Sequence, residues 1–254
     1  MPYESMMAET IHLKGHEGDQ IDGYLARPLG AGPVPGVVVI HHMPGWDGPT
    51  KEITRRFAHE GFATVSPNLH FREGKATPQE NSDSVRAAGG MPDNRTLGDL
   101  EAAIAYLRSQ PYCNGKIGII GYCSGGRQTY LAACKLSGID AAVSCYGGGV
   151  VCPPENLTER QPVAPIDYTA DMSCPILMFF GKEDKRPSPE DMAITEEALK
   201  KHGKKYEIYA YDNAGHSFFA VDRPDYRVHA ATDGWKKLLA FYDKYLRASK
   251  NTGF

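Results

Sequence analysis

The chain has 254 residues, of which 41% are hydrophobic and 23% charged, and its formal net charge is −3. The composition is that of an ordinary globular protein, and the length allows one large α/β domain or two small ones; the order of the elements below favours one domain over residues 1–254. The slight negative charge gives no basis for binding nucleic acid. No apolar run reaches the roughly 18 residues of a membrane helix, and residues 1–9 lack the apolar region of a signal peptide, so we expect a cytoplasmic protein.

The first part of the chain predicts the edge and the beginning of a sheet. Alternating apolar and polar residues at 10–13 and 21–27 indicate an antiparallel hairpin. The β-branched run at 36–40 is typical of a strand buried on both faces, and we assign Pro33 and Pro35 to the loop before it. A helix over 50–60 and a strand over 62–66 follow. The polar stretch 68–95, with a weak helical tendency at 78–88, is the kind of excursion that covers a site.

The rest of the chain alternates between helices and strands. The predicted helices are 96–110, 126–135, 189–201 and 225–248, and the predicted strands are 116–120, 141–146, 175–181 and 206–211. The proline-containing segment 147–172 is either a lid or a surface loop. This alternation predicts a mostly parallel central sheet with helices on both faces, in which functional loops meet at the C-terminal ends of the strands.

Cysteine usage points to one special thiol. The six cysteines are scattered, without the paired short spacings of a disulfide framework or a zinc site, so we expect no metal and mostly buried thiols. Cys123 differs because it lies in Gly121-x-Cys123-x-Gly125, the nucleophile-elbow pattern with cysteine in the place of serine. A Cβ at either flanking glycine would collide with the neighbouring strand or helix. The alternative is a cysteine that merely lies in a glycine-rich turn.

Two further residues follow predicted strands and complete a possible triad with Cys123. A cysteine attacks as thiolate, an imidazole moves its proton, and a carboxylate orients the imidazole. Asp184 and His216 lie in that chain order, which is the order of the α/β-hydrolase fold. Glu183 and Asp212 stay alternative acids, because a one-residue slip in the spacing would select Glu183.

The same loops predict an oxyanion hole and a pocket. One backbone N–H is expected from Ser124, after the nucleophile, and the other from Met43, in the loop after the strand 36–40. The side chain of Ser124 is out of register for a nucleophile. His41 and His42 are expected to line the pocket. Three aromatic residues nearby favour a small, partly apolar ester or lactone: Trp46, Tyr122 and Tyr146.

The sequence resembles the dienelactone hydrolase family in three blocks, which read GDLEAAIAYLRSQPYCNGKIGIIGYCSGG (98–126), GKED (181–184) and AGHSF (214–218). The likeness spans about residues 11–245. It implies an α/β-hydrolase fold and hydrolysis of a small carboxylic ester or lactone through a thioester, without a metal or an organic cofactor. The implied site comprises the triad Cys123, Asp184 and His216, with Ser124 and Met43 as oxyanion donors.

The sequence departs from the family pattern where a substrate carboxylate would bind. The family has a glutamate where this chain has His42, so we expect Cys123 to ionise more readily beside His216 and a protonated His42. Arginines that grip the substrate carboxylate would fall near Asn81 and Ala220. The arginines that lie nearby as substitutes are Arg86, Arg95 and Arg223.

Two other functions are compatible with these residues. A soft nucleophile beside an oxyanion hole would also attack activated esters such as phosphotriesters. The chain could instead be a non-catalytic binding protein on a hydrolase scaffold. The sequence leaves the oligomeric state undetermined.

Overall fold

The computed structural model describes residues 4–30, 32–74 and 76–247. The ends of the predicted domain, including residue 248 of the last predicted helix, lie outside the described residues. Within them, eight strands form one sheet in the order β1-β2-β4-β3-β5-β6-β7-β8. They are β1 (Met6–Lys14), β2 (Gln20–Pro28), β3 (Val34–Ile40), β4 (Ala63–Pro67), β5 (Cys113–Tyr122), β6 (Ala141–Cys145), β7 (Ile176–Gly181) and β8 (Tyr206–Tyr211).

The pairing of the strands confirms the predicted sheet. The β1–β2 and β2–β4 pairs are antiparallel, which places the predicted hairpin at one edge. The other pairs are parallel. Because parallel strands end on the same side, the loops after β3, β5, β7 and β8 meet at one edge of the sheet.

Helices cover both faces of this sheet. They are α1 (Gly48–His59), α2 (Pro78–Ala87), α3 (Asp93–Ser109), α4 (Ser124–Lys135), α5 (Pro189–Lys201) and α6 (Val228–Leu246). Helices α3, α4 and α5 contribute to one apolar cluster and α1 and α6 to another. Successive residues of β5 alternate between the two clusters, so the clusters lie on opposite faces. None of the helices described here is long and apolar enough to cross a membrane.

Proline changes the start of β3. All seven residues of this strand are buried, as expected for a strand with parallel neighbours on both sides. The prediction that Pro35 lies in the preceding loop was wrong, because Pro35 lies inside the strand. The pairing of β3 with β5 shifts register between Val34 and Gly36. Such an irregularity tolerates a residue that has no N–H to donate to the ladder.

Three helices begin earlier than predicted: α4 begins at Ser124 rather than at residue 126, and contacts at their first turns extend α1 and α3. The Asp47 carboxylate accepts the Thr50 N–H at 3.0 Å, so α1 begins at Gly48 rather than at residue 50. Helix α3 begins at Asp93 rather than at residue 96. The Asp93 carboxylate pairs with Arg127 of α4 at 2.6 Å, which is a tertiary contact that local sequence does not reveal.

The segment 147–172 contacts helix α4 through a buried hydrogen bond near its C-terminal end. Its Thr169 hydroxyl lies 2.7 Å from the Tyr130 hydroxyl, in the second half of α4. Cys123 lies at the opposite end of that helix. This contact joins residue 169 to α4, and the lid and the surface loop both stay predictions for the segment.

Candidate active site

Cys123 occupies the turn between β5 and α4. Its φ is +56°, in the left-handed region that residues other than glycine seldom adopt. A Cβ at Gly121 would overlap the Gly125 carbonyl oxygen, and a Cβ at Gly125 would lie 2.6 Å from the Ile40 carbonyl oxygen. The strained turn therefore requires both glycines, and it presents Cys123 at the end of the sheet beside the N-terminus of α4.

Asp184 and His216 form a hydrogen-bonded pair at the same edge. The His216 Nδ1 lies 2.8 Å from the Asp184 Oδ2, and the side chain of Asp184 is only 3% exposed. The other carboxylate oxygen accepts the Arg186 N–H at 2.9 Å. Both carboxylate oxygens of Asp184 therefore have a hydrogen-bond partner, and the contact at Nδ1 fixes the orientation of the His216 ring. Two backbone hydrogen bonds of 3.0 Å join the two loops, from Lys182 to Tyr211 and from Glu183 to Ala214.

The alternative acids lie elsewhere. Glu183 is exposed, although it is adjacent to Asp184. Asp212 is 77% exposed and pairs with a lysine on the surface. Asp184 is thus the carboxylate that contacts His216.

The thiol of Cys123 hydrogen-bonds to the imidazole of His216. Burial opposes ionisation of Cys123, but the hydrogen bond and charge of His216, with backbone N–H groups of Ser124 and Met43, leave the thiol pKa below its ordinary value. Burial also lowers the pKa of His216, but its hydrogen bonds to Asp184 and Cys123 outweigh that effect and raise it. Both shifts favour a thiolate–imidazolium pair, which titrates as one coupled unit.

The N–H groups of Ser124 and Met43 both point at the Cys123 sulfur. Ser124 is the first residue of α4, where an N–H has no partner within the helix. Met43 lies in the loop after β3. Two donors from separate elements thus converge beside the sulfur, an arrangement that can stabilise negative charge on a carbonyl oxygen.

The lowered thiol pKa predicts how Cys123 reacts with an alkylating agent. Only the thiolate reacts, so we expect the rate to be at its plateau above the pKa and to fall as the pH drops through it. That midpoint should lie below about 8.5, the value of a free thiol. Iodoacetamide labelling of the Cys123 peptide, followed by mass spectrometry across a pH series, measures the midpoint. A midpoint at or above about 8.5 would contradict the expectation.

A second histidine–carboxylate pair lies on the loop after β3, and the sequence analysis missed it. The His42 Nε2 is 2.6 Å from the Asp47 Oδ2, and each side chain is 13% exposed. Burial raises the pKa of Asp47, but the hydrogen bonds from His42 and Thr50 outweigh it and lower the pKa to about 2. Asp47 thus fixes His42 one residue before Met43. An N-cap signal, aspartate followed by Gly-Pro-Thr, could have located Asp47.

Removing the Asp47 carboxylate should destabilise the protein. We expect Asp47→Ala to lower the free energy of unfolding by about 2 kcal/mol, because α1 loses its cap and His42 its partner. Asp47→Ser, which keeps a capping oxygen, should cost about half as much. Urea denaturation measures both values.

The pH dependence of this loss separates the carboxylate from the cap. Asp47 has a lower pKa in the folded chain, about 2, than its ordinary value of 3.8. Its contribution is therefore complete above about pH 4 and is lost as the pH falls towards 2. The stability difference between wild type and Asp47→Ser should shrink over that range. A difference that does not change with pH would refute the role of the ionised carboxylate.

His41 lies behind the site. It is 3% exposed, its Nδ1 lies 2.8 Å from the His42 carbonyl oxygen, and its Nε2 accepts the Leu69 N–H at 3.2 Å. Burial lowers its pKa to about 3, so the imidazole is neutral. The expectation that His41 lines the pocket was wrong: its ring links the loops after β3 and β4.

A cavity of about 420 Å³ lies on the face of the sheet covered by α1 and α6, and among the described residues Cys123 and His216 do not belong to its lining. His42 and Tyr146 belong to the lining of this cavity. The Tyr146 ring packs edge-on against His216, with 5.1 Å between ring centroids. Tyr146 also has a positive φ of 39°, and strain of this kind collects at functional sites.

The structure does not bring the other predicted binding residues to this cavity. Trp46 donates its indole N–H to a backbone carbonyl of β4 at 2.9 Å, and Arg86 is exposed on α2, 3.7 Å from a neighbouring aspartate. Arg223 is 43% exposed. Arg95 pairs with Glu73. Within the described chain, none of Trp46, Arg86, Arg95 and Arg223 belongs to the cavity lining.

In the three described stretches of the chain, no group of three or more His, Cys, Asp or Glu side chains is arranged to hold a metal ion.

Comparison with known proteins shows the family of this chain. The model of the dienelactone hydrolase family matches residues 21–246. The Escherichia coli (strain K12) protein named "Putative carboxymethylenebutenolidase" is 33% identical over 234 residues, which cover 90% of this chain and 84% of that protein.

Two solved structures share the fold. The "Putative Dienelactone Hydrolase" of Klebsiella pneumoniae has a TM-score of 0.87 at 28% identity, covering 95% of this chain and 100% of that one. A dienelactone hydrolase-like promiscuous phosphotriesterase from metagenomic libraries has a TM-score of 0.77 at 23% identity, covering 95% and 99%. The range matched by the family model spans positions 123, 184 and 216. The chain therefore belongs to the dienelactone hydrolase family.

Proposed function

We propose that this enzyme hydrolyses a small carboxylic ester or lactone with Cys123 as its nucleophile. One observation carries the proposal: the Cys123 sulfur contacts an imidazole held by a buried carboxylate and also faces two backbone N–H groups. The name of the Escherichia coli relative, a carboxymethylenebutenolidase, supports the same chemistry.

In the first half of the reaction, the Cys123 thiolate attacks the carbonyl carbon and a C–S bond forms. The carbonyl electron pair moves onto oxygen, where the N–H groups of Ser124 and Met43 stabilise the negative charge. The tetrahedral intermediate then collapses. The C–O bond to the alcohol breaks, and the alcohol oxygen takes the proton that His216 carries. In a lactone, this alcohol stays attached to the acyl group.

In the second half, water hydrolyses the thioester. His216, now neutral, takes a proton from the water as it attacks the thioester carbon, and collapse of the intermediate breaks the C–S bond. The thiolate and the imidazolium are thereby restored. Asp184 accepts the Nδ1–H throughout, so that Nε2 is the nitrogen that exchanges protons, and it stabilises the imidazolium.

A covalent acyl-enzyme is the most direct test of this proposal. Rapid mixing with p-nitrophenyl acetate should release a burst of about one nitrophenolate per enzyme if deacylation is the slower step. Acid quenching should then show one acetyl group on the Cys123 peptide by mass spectrometry. Steady hydrolysis with acetyl found only on another residue would overturn the proposal. A stable adduct on Cys123 without turnover would instead support a binding protein.

Activated phosphate esters are the second candidate substrates. The thiolate could also attack a phosphorus atom, and its two N–H donors could stabilise the negative charge that forms there. The name of the phosphotriesterase neighbour indicates the same kind of reaction for that protein. At 23% identity that likeness shows the fold alone. Assaying diethyl p-nitrophenyl phosphate beside p-nitrophenyl acetate distinguishes the two. We expect the carboxylic ester to be preferred.

A further inference from the structure

His41 has no part in the reaction steps, although it lies two residues before Met43. Its side chain is buried, so it is closed off from substrate and solvent. Both of its ring nitrogens nevertheless have a backbone partner: Nδ1 lies 2.8 Å from the His42 carbonyl oxygen, and Nε2 lies 3.2 Å from the Leu69 nitrogen. The ring therefore has a fixed position directly behind the loop that follows β3.

The two partners decide where the proton of this ring lies. The Leu69 N–H can only donate, so Nε2 accepts and carries no proton. A neutral imidazole has one N–H, which must then be at Nδ1 and is donated to the His42 carbonyl oxygen. Burial and the neighbouring His70 lower the pKa of His41 to about 3, so the ring is neutral at neutral pH. His41 is thus a fixed hydrogen-bond donor and not a proton carrier.

The carbonyl that accepts this hydrogen bond belongs to the same peptide group as the Met43 N–H. The peptide bond between His42 and Met43 is trans, so its atoms are coplanar and the C=O and N–H point in opposite directions. A donor that holds the carbonyl oxygen on one side therefore aims the N–H to the other side. On that side the Met43 N–H meets the Cys123 sulfur.

A second donor completes the hold on the His42 carbonyl. The Gly45 N–H donates to the same oxygen at 2.9 Å, so both of its lone pairs are used. Gly45 is itself held at the start of α1, because its carbonyl accepts the Asp47 N–H at 3.0 Å and the Thr50 hydroxyl at 3.2 Å. Hydrogen bonds accepted by a peptide carbonyl also polarise the group, which makes its N–H a stronger donor.

The same loop packs directly on the elbow. A Cβ at Gly125 would lie 2.7 Å from the His41 carbonyl oxygen, so the backbone of His41 contacts the residue after Ser124. The loop that carries one proposed oxyanion donor, Met43, is therefore in register with the turn that carries the other. Such registration matters, because a misplacement of about 1 Å can cost about 10²-fold in rate.

We propose that His41 is a positioning residue, which aims the Met43 N–H at the oxyanion by holding the His42 carbonyl. This inference rests on the proposed function. Negative charge develops on the substrate oxygen only as the thiolate or water attacks, so a misdirected N–H slows acylation and deacylation more than it weakens substrate binding.

Two variants of similar size separate hydrogen-bond donation from packing. Asparagine at position 41 places an amide N–H close to the position of Nδ1, since both nitrogens are bonded to Cγ, whereas leucine has the same branched shape without a donor. Neither side chain extends as far as Nε2, so both variants lose the acceptor of the Leu69 N–H. We expect kcat/KM for p-nitrophenyl acetate to be at least about tenfold lower in His41→Leu than in His41→Asn.

The specific readout is the ratio of kcat/KM for p-nitrophenyl acetate to that for p-nitrophenyl thionoacetate, in which sulfur replaces the carbonyl oxygen. Sulfur is larger and a weaker hydrogen-bond acceptor, so the ratio reports how well the oxyanion donors are placed. A loss of folded enzyme cancels in this ratio. We expect it to fall at least about fivefold in His41→Leu and to stay within about twofold of wild type in His41→Asn.

An unchanged ratio in His41→Leu, or an equal fall in both variants, would overturn the inference. If His41→Leu does not fold, His41→Phe keeps a ring without a donor and takes its place in the comparison. The proposed function is tested separately in the same variants, by acetylation of the Cys123 peptide after acid quenching. Acetyl on Cys123 together with an unchanged ratio would leave the thioester mechanism intact and remove only the role of His41.

Discussion

Replacing Cys123 with alanine is expected to lower kcat/KM for p-nitrophenyl acetate by at least about 10⁴-fold, because no side chain at this position can then form the C–S bond. The Ser124 hydroxyl cannot take over, since its residue begins α4 rather than occupying the elbow. Alanine keeps the Cβ that the turn already accommodates, so the melting temperature should change little. Steady-state kinetics and a thermal melt measure the two effects.

The matched control is Cys113→Ala. Cys113 is the first residue of β5, and Cys123 directly follows the last, so the strand separates two thiols of the same chain. We expect this control to hydrolyse the ester at the wild-type rate. If Cys123→Ala keeps its activity while remaining folded, the nucleophile is another residue and the thioester mechanism fails.

Replacing Asp184 with asparagine should produce the second largest effect, a loss of about 10³-fold or more in kcat/KM. The carboxylate accepts the His216 Nδ1–H and lies in a buried position, so the substitution changes charge without removing bulk. The asparagine amide can donate to Nδ1, which would stabilise the tautomer of His216 that carries its proton on Nε2. In that tautomer Nε2 cannot accept a proton from Cys123 or water.

The same variant should also shift the ionisation of the thiol. Without the Asp184 charge the imidazolium is less stable, so the midpoint for alkylation of Cys123 should rise. Glu183→Gln is the control, because its side chain is exposed and adjacent in sequence. Equal losses of activity in the two variants, or an unchanged midpoint in Asp184→Asn, would show that Asp184 does not act through His216.

Much of the fold was predictable because its determinants are local. The buried strand at 36–40 and the alternation of strands with amphipathic helices predicted a parallel sheet, and the pairing of the strands confirms it. The helix boundaries were less predictable. Helix α3, for example, begins three residues early, where Asp93 pairs with an arginine thirty-four positions later. A tertiary ion pair of this kind leaves no periodic signal in the sequence.

The positions of the candidate triad follow from chain connectivity. Strand, turn and glycine signals placed Cys123, Asp184 and His216 after three strands, and parallel strands deliver their C-terminal loops to one edge. Choosing between Asp184 and Glu183 required the structure, since only side-chain direction separates neighbouring residues. The structure shows Asp184 buried on His216 and Glu183 exposed.

Local sequence was enough to predict the sheet, the glycine-bounded elbow and the order of the three candidate catalytic residues, because strand and turn propensities act over a few residues. Folding of the whole chain, in contrast, set the environment of these residues. It paired His42 with Asp47, and it opened an aromatic cavity between α1 and α6. It also left Arg86 and Arg223 outside that cavity. Such features depend on how distant segments meet, and on the direction and burial of side chains, which composition and spacing do not encode.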